Sequence, residues 1–130
     1  MKKKPKVSFD FDSTLSEKEV QELAKLLIEN DIDVWITTTR YEDIRNYKAI
    51  SGANHDDLIK VITELNIPFH KVKFTNFEWK YEYLKDSEFI WHLDDNPDEF
   101  RYIQKFTNVE PIIYGRKKWR KLCLKVLKIK

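Results

Sequence analysis

The chain has 130 residues, 42% apolar, 14% aromatic and 35% charged, too hydrophobic for a disordered segment, too mixed for a fibre, and of a length that suits one domain with one core. Its two glycines, Gly52 and Gly115, exclude every glycine-rich phosphate loop, and its single cysteine, Cys123, excludes an internal disulfide. The net charge of +2 conceals two basic ends, with four lysines in residues 2–6 and eight basic residues in 116–130; twelve basic residues then face all 22 acids between them, so residues 7–115 carry a formal charge of −10.

Taken in order, short runs rich in β-branched and aromatic residues alternate with helical patterns. Lys6 to Asp10 predicts a first strand. Val20, Leu23, Ala24, Leu27 and Ile28 follow at helical spacing, with Ser16 as the expected N-cap and Glu19 completing a capping box. Asp33 to Thr37 predicts a second strand, and residues 41–55 carry no firm assignment. Leu58, Ile59, Ile62 and Leu65 mark a second amphipathic helix, stopped by Pro68. His70 to Phe74, Phe89 to Leu93 and Glu110 to Tyr114 predict three further strands, separated by helices over Trp79 to Lys85 and Asp98 to Phe106. Lys117 to Lys128 predicts a last helix with Trp119, Leu122, Cys123, Val126 and Leu127 on its apolar stripe. Strands spaced by helices predict an α/β fold with a mostly parallel sheet in a single domain over residues 1–130, the two basic ends being extensions of it.

In such a sheet ligands gather beyond the carboxyl ends of the strands. The first strand delivers Asp10-Phe11-Asp12, two carboxylates close enough to repel unless a cation or donor offsets them. The second delivers Thr37-Thr38-Thr39-Arg40, hydroxyls and a guanidinium suited to a phosphoryl oxygen. The fourth delivers Asp94-Asp95, a second acidic cluster. Hard oxygen donors from two strands, without His or Cys beside them, describe a magnesium site.

Asp10-Phe11-Asp12-Ser13-Thr14-Leu15 resembles the D-x-D-x-[TV]-L first motif of the haloacid dehalogenase-like superfamily. Val34 to Arg40 resembles its second motif, and Leu93-Asp94-Asp95 its fourth. The resemblance implies a three-layer Rossmann-like fold with five strands in the order 5-4-1-2-3, Mg2+, and phosphomonoester hydrolysis through an aspartyl-phosphate. Asp10 would be the nucleophile and Asp12 the general acid and base. The metal would be held by Asp10, the Asp12 backbone carbonyl and Asp94, with Asp95 bound directly or through water. Thr38 would bind a phosphoryl oxygen, with Thr39 and Arg40 beside it. A lysine must spread the phosphate's charge; of Lys71, Lys73, Lys80 and Lys85, the expected one is Lys80, placed where the loops converge.

Neither interval in which the haloacid dehalogenase-like superfamily inserts a cap has room for a cap domain, so an open site is expected, with Tyr41 to His55 forming either an ordinary helix and loop or a small lid over the mouth. A response-regulator-like receiver is disfavoured because Phe74-Thr75-Asn76 offers no acceptor aspartate after strand three. An uncapped site and basic ends point to nucleotides or nucleic-acid terminal phosphates as substrates. The alternative is a non-catalytic binding module whose basic ends contact nucleic acid, a membrane surface or another anionic partner. The lone cysteine, and a start without a signal-peptide apolar core, suggest a cytoplasmic protein without integral membrane association.

Overall fold

The computed structural model describes residues 3–47 and 53–129. Among these, five strands alternate with five α-helices: β1 (Lys6–Phe9), α1 (Lys18–Glu29), β2 (Asp33–Thr38), α2 (Asp56–Leu65), β3 (Val72–Phe74), α3 (Tyr81–Leu84), β4 (Trp91–Asp94), α4 (Pro97–Phe106), β5 (Glu110–Ile113) and α5 (Trp119–Lys125). The strands form one all-parallel sheet in the order β3-β2-β1-β4-β5, the expected order read from the other edge. The chain leaves β1 toward one side and later returns to β4 on the other. That reversal opens a crevice at the carboxyl ends of β1 and β4, where Asp10 and Asp94 lie.

Alternation along the strands divides the interior. Val7, Phe9, Val34, Ile36, Trp91, Leu93 and Ile112 form one core with Val20, Leu23, Ala24 and Leu27 of α1, Leu58, Val61 and Ile62 of α2, and Cys123 and Leu124 of α5. Leu23 and Leu27 are wholly buried, each contributing about 2–3 kcal/mol. A smaller cluster joins Leu84 of α3, Ile103 of α4, Phe89 and Val109 to Trp35 and Tyr81. At the alternate positions Ser8, Thr37 and His92 are fully buried polar groups and bond one another across three strands, Ser8 Oγ lying 2.8 Å from Thr37 Oγ1 and 2.9 Å from His92 Nδ1.

Four local expectations are corrected. Ser16 does not cap α1: its hydroxyl accepts from the Ser13 backbone N–H at 3.0 Å, Glu17 holds the cap position without a side-chain bond, and Glu19 instead accepts from the Tyr114 hydroxyl. In α2, Ile59 is exposed and Val61 takes the buried place expected for it. Residues 69–71 form a 3-10 turn, closed by Lys71 N–H donating to the Pro68 carbonyl at 3.0 Å, so β3 begins only at Val72. In α5, Leu122 and Val126 are exposed, and Cys123 and Leu124 carry the contact with the sheet. Trp91 Nε1 donates to the Cys123 carbonyl at 2.9 Å, which ties this helix to β4. No helix among the described residues is long and apolar enough to cross a membrane.

Candidate functional site

Beyond Phe9 the ladder runs one residue further, with Asp10 N–H donating to the Leu93 carbonyl at 2.8 Å. The chain then enters a turn wider than an α-helical one. Leu15 N–H donates to the Asp10 carbonyl at 3.0 Å and Ser16 N–H to that of Phe11 at 2.9 Å, each spanning five residues, and Ser13 takes a left-handed conformation with φ 61°. Phe11, Thr14 and Leu15 are thereby buried while Asp12 stays exposed. The Thr14 hydroxyl donates to Asp10 Oδ2 at 3.1 Å, fixing the carboxylate from one side.

Lys80 fixes it from the other. It stands immediately before α3, and its ammonium lies 2.6 Å from Asp10 Oδ1 and 2.5 Å from Asp94 Oδ2. All three side chains are more than nine-tenths buried, at 3%, 8% and 4% exposure for Lys80, Asp10 and Asp94. The Lys80 backbone N–H donates to Glu99 Oε1 at 3.2 Å, so α4 helps to position the lysine. Asp94 also accepts from His92 Nε2 at 2.8 Å and from the Asn96 backbone N–H at 3.1 Å.

These contacts set the electrostatics. Burial, reinforced by the Asp94 charge, pushes the Asp10 carboxyl well above the ordinary range despite Lys80. Burial would raise Asp94 as well, but the His92 hydrogen bond and the Lys80 ammonium outweigh it and hold that carboxyl low. For Lys80 the desolvation is outweighed by the two aspartates, so it stays protonated. Burial lowers His92, which is therefore a neutral imidazole. Because Asp94 can only accept, His92 donates through Nε2 and accepts the Ser8 hydroxyl proton at Nδ1, and Ser8 in turn accepts from Thr37.

Asp10, Asp94 and the exposed Asp95 each offer a carboxylate oxygen within 4.8 Å of the others. The Lys80 ammonium reaches two of the three, Asp10 and Asp94, and all the donors are hard oxygens. That set fits a small divalent cation such as Mg2+. The Asp12 carboxylate does not belong to it. Asp12 faces Arg40, whose Nε lies 3.0 Å from Oδ2 and whose Nη2 lies 2.6 Å from Oδ1. Arg40 also grips Asp57 at the start of α2, at 2.9 and 2.8 Å, and its planar fork is filled by the two carboxylates.

The expected phosphate-binding residues thus divide. Lys80 reaches the acidic centre. Arg40 is committed to Asp12 and Asp57. Thr38 is buried, its Oγ1 accepting from the Arg40 backbone N–H at 3.3 Å, while Thr39 is half-buried and lines a cavity with Asp12 and Arg40. The competing lysines are elsewhere: Lys71 pairs with Asp33 at 2.6 Å, Lys73 lies over the Trp35 ring, and Lys85 pairs with Glu82. Of the basic N-terminal segment, Lys3 pairs with Glu88 and Lys4 with Asp31, while Met1 and Lys2 lie outside the described residues. Of the suggested lid, residues 48–52, including Lys48 and Gly52, also lie outside them, and a single 3-10 turn (Ile44–Asn46) precedes.

Sequence reasoning missed Ser8, His92 and Glu99. Ser8 and His92 interrupt apolar runs, Val7-Ser8-Phe9 and Trp91-His92-Leu93, in strands buried on both faces; a polar residue there signals an obligatory buried partner. A larger cavity of about 580 Å³, bordered by Lys6, Asp33, Trp35 and Ile90 at the opposite edge of the sheet, contains none of these groups. Compared with protein-family models and with curated proteins, the chain matches none.

Proposed function

We propose that this protein is a Mg2+-dependent phosphomonoester hydrolase of the haloacid dehalogenase type, acting through an aspartyl-phosphate on nucleotides or nucleic-acid terminal phosphates. The observation that supports this reading most is the buried contact of Asp10 with Lys80, within the cluster that also holds Asp94 and Asp95. A carboxylate approaching a phosphate dianion meets repulsion, and a preorganised ammonium 2.6 Å away reduces it without reorganisation.

In this proposal an Asp10 carboxylate oxygen bonds to phosphorus as the ester P–O bond breaks. Asp12 gives its proton to the departing alkoxide oxygen. Asp12 then takes a proton from water, whose oxygen bonds to phosphorus as the Asp10–phosphorus link breaks, releasing orthophosphate. Asp12 must leave Arg40 to reach the ester oxygen, and Asp57 keeps the guanidinium paired meanwhile. The Thr38 and Thr39 hydroxyls and Lys80 serve the phosphoryl oxygens. Asp10, Asp94 and Asp95 would hold the Mg2+, which supplies charge neutralisation when bound. His92, through its bond to Asp94, keeps that carboxylate in one orientation.

Hydrolysis of p-nitrophenyl phosphate, followed with Mg2+ and with EDTA, tests the reading. Turnover is expected only with the cation, and Asp10→Asn, which keeps the side-chain size, is expected to abolish it. Comparable turnover by a folded Asp10→Asn variant would remove Asp10 as nucleophile and the reading with it.

A further inference from the structure

The cavity that borders Asp12 measures about 310 Å³ and is lined by Asp12, Thr39, Arg40, Tyr47, Ala53, Asn54 and Phe77. That volume is at the lower end of the range for small-molecule sites, about 300 Å³ and upward. Its position follows from the chemistry: a leaving group must depart on the side of the acid that protonates it. Two of its seven lining residues, Tyr47 and Phe77, are aromatic, and Tyr41 packs behind them. Phe77 is 60% exposed, its ring centroid 4.8 Å from that of Tyr41 and 6.1 Å from that of Tyr47, and the two tyrosines meet edge-on at 5.3 Å.

The fold holds this exposed ring at a conformational cost. Asn76 and Phe77 both adopt left-handed backbone, φ 55° and 64°, a region that asparagine tolerates and a bulky aromatic residue enters only under constraint. The constraint is visible. Phe77 N–H donates to the Thr39 carbonyl at 2.7 Å, Asn76 N–H to that of Arg40 at 3.2 Å, and Asn76 Oδ1 accepts from Glu42 N–H at 3.1 Å, which laces the 75–78 turn to the segment after β2. Tyr47 is set by its hydroxyl, which accepts from Tyr41 N–H at 2.9 Å, and His55 Nε2 lies 2.9 Å from the Tyr41 carbonyl. Strain of this kind persists where the surroundings over-determine it, and it gathers at binding sites.

We infer that this cavity is a subsite for the planar base carried by the departing nucleoside of a nucleoside monophosphate, the base stacking on the exposed Phe77 ring while the phosphate meets Asp10. The inference rests on the phosphatase reading and narrows it to a substrate class. The exposed Phe77 face supplies stacking surface, and of the substrates in the phosphatase reading, nucleotides and nucleic-acid ends, the base is the part that brings a planar ring to it.

The test compares adenosine 5′-monophosphate, ribose 5-phosphate and phosphotyrosine as substrates with Mg2+, for the parent, Phe77→Asn, which suits the left-handed backbone, and Phe77→Trp. The parent is expected to favour the nucleotide over ribose 5-phosphate about ten-fold in kcat/KM, the size of one base–aromatic stack. That ratio should fall toward one in Phe77→Asn and return in Phe77→Trp. Calorimetric binding of the same ligands to the Asp10→Asn protein should show the same Phe77-dependent preference, a readout independent of turnover. Ring-dependent nucleotide binding without any hydrolysis would overturn the phosphatase reading and keep the subsite. Hydrolysis of nucleotide and sugar phosphate at equal efficiency, untouched by Phe77→Asn, would overturn the subsite and keep the phosphatase, and a stronger preference for phosphotyrosine would overturn the nucleobase assignment.

Discussion

Replacing Lys80 by methionine removes one buried charge and keeps most of the side-chain volume. Lys80 is the ammonium shared by Asp10 and Asp94, at 2.6 and 2.5 Å. All three groups are more than nine-tenths buried, so water cannot take its place. Losing one partner of a buried ion pair costs about 3–5 kcal/mol, because the remaining charge stays desolvated. Asp94 keeps its His92 donor, and Asp10, whose carboxyl burial already pushes up, takes a proton once the ammonium is gone. The loss should therefore fall in the lower part of that range in EDTA, a fall in Tm of roughly 10 °C for a chain of this size. Urea denaturation followed by tryptophan fluorescence at neutral pH measures it. Added Mg2+ should stabilise Lys80→Met more than the parent, since a cation at the acidic cluster then offsets charge that the ammonium no longer does. Lys85→Met, which breaks the exposed pair with Glu82 at 3.2 Å, is the control and should stay within about 0.5 kcal/mol. A Lys80→Met variant within about 1 kcal/mol of the parent in EDTA would refute the view that Lys80 neutralises this centre.

Two further outcomes follow from contacts away from the site. Burial would raise the Asp33 carboxyl, but the Lys71 hydrogen bond and charge lower it below its usual value; the stability this pair adds is therefore present above the unfolded carboxylate range and lost as pH falls below about 4. Lys71→Gln should cost about 1 kcal/mol at pH 6 and progressively less toward pH 3 in urea titrations, and a penalty independent of pH would disprove the linkage. Trp91→Phe removes the buried donor to the Cys123 carbonyl and should cost about 2–3 kcal/mol while speeding proteolysis within residues 119–129, whereas unchanged cleavage would show that α5 is anchored by other contacts.

Asp10 and Asp94 were legible in the sequence because the ends of strands in a parallel sheet share one edge, and Lys80 because it opens the helix after Thr75-Asn76, on the side where the loops converge. The bond from Ser8 to Thr37 and His92 depends on registers among β1, β2 and β4, which no local pattern reports. Arg40 was legible as a strand-end cation but not as the partner of Asp57, since that pairing requires α2 to begin at one particular point. Ser16 fits every local rule for an N-cap, yet the wide turn from Asp10 drew its hydroxyl to Ser13. In α5 the sequence offers Leu122 and Leu124 on either side of Cys123 as equally apolar choices, and packing on the sheet selects Cys123 and Leu124 with Trp119 and Leu127, leaving Leu122 and Val126 outward.

Placing the acidic centre at the seam between β1 and β4 also decides which motions can reach it. The amides of Asp10 and Tyr114 are bonded into neighbouring strands at 2.8 Å, beside the buried Asp10 and Asp94 side chains, so hydrogen exchange there should require global opening. The rim over Asp12 is different: two backbone bonds and one from Glu42 N–H to Asn76 Oδ1 join the 75–78 turn to the segment after β2, beside the exposed Phe77 ring, and ties at an exposed surface release in local excursions cheaper than unfolding. The fold thus separates a centre that keeps its geometry for as long as the sheet exists from a rim that can open on its own, and under the proposed reading any control over substrate entry would act on that rim.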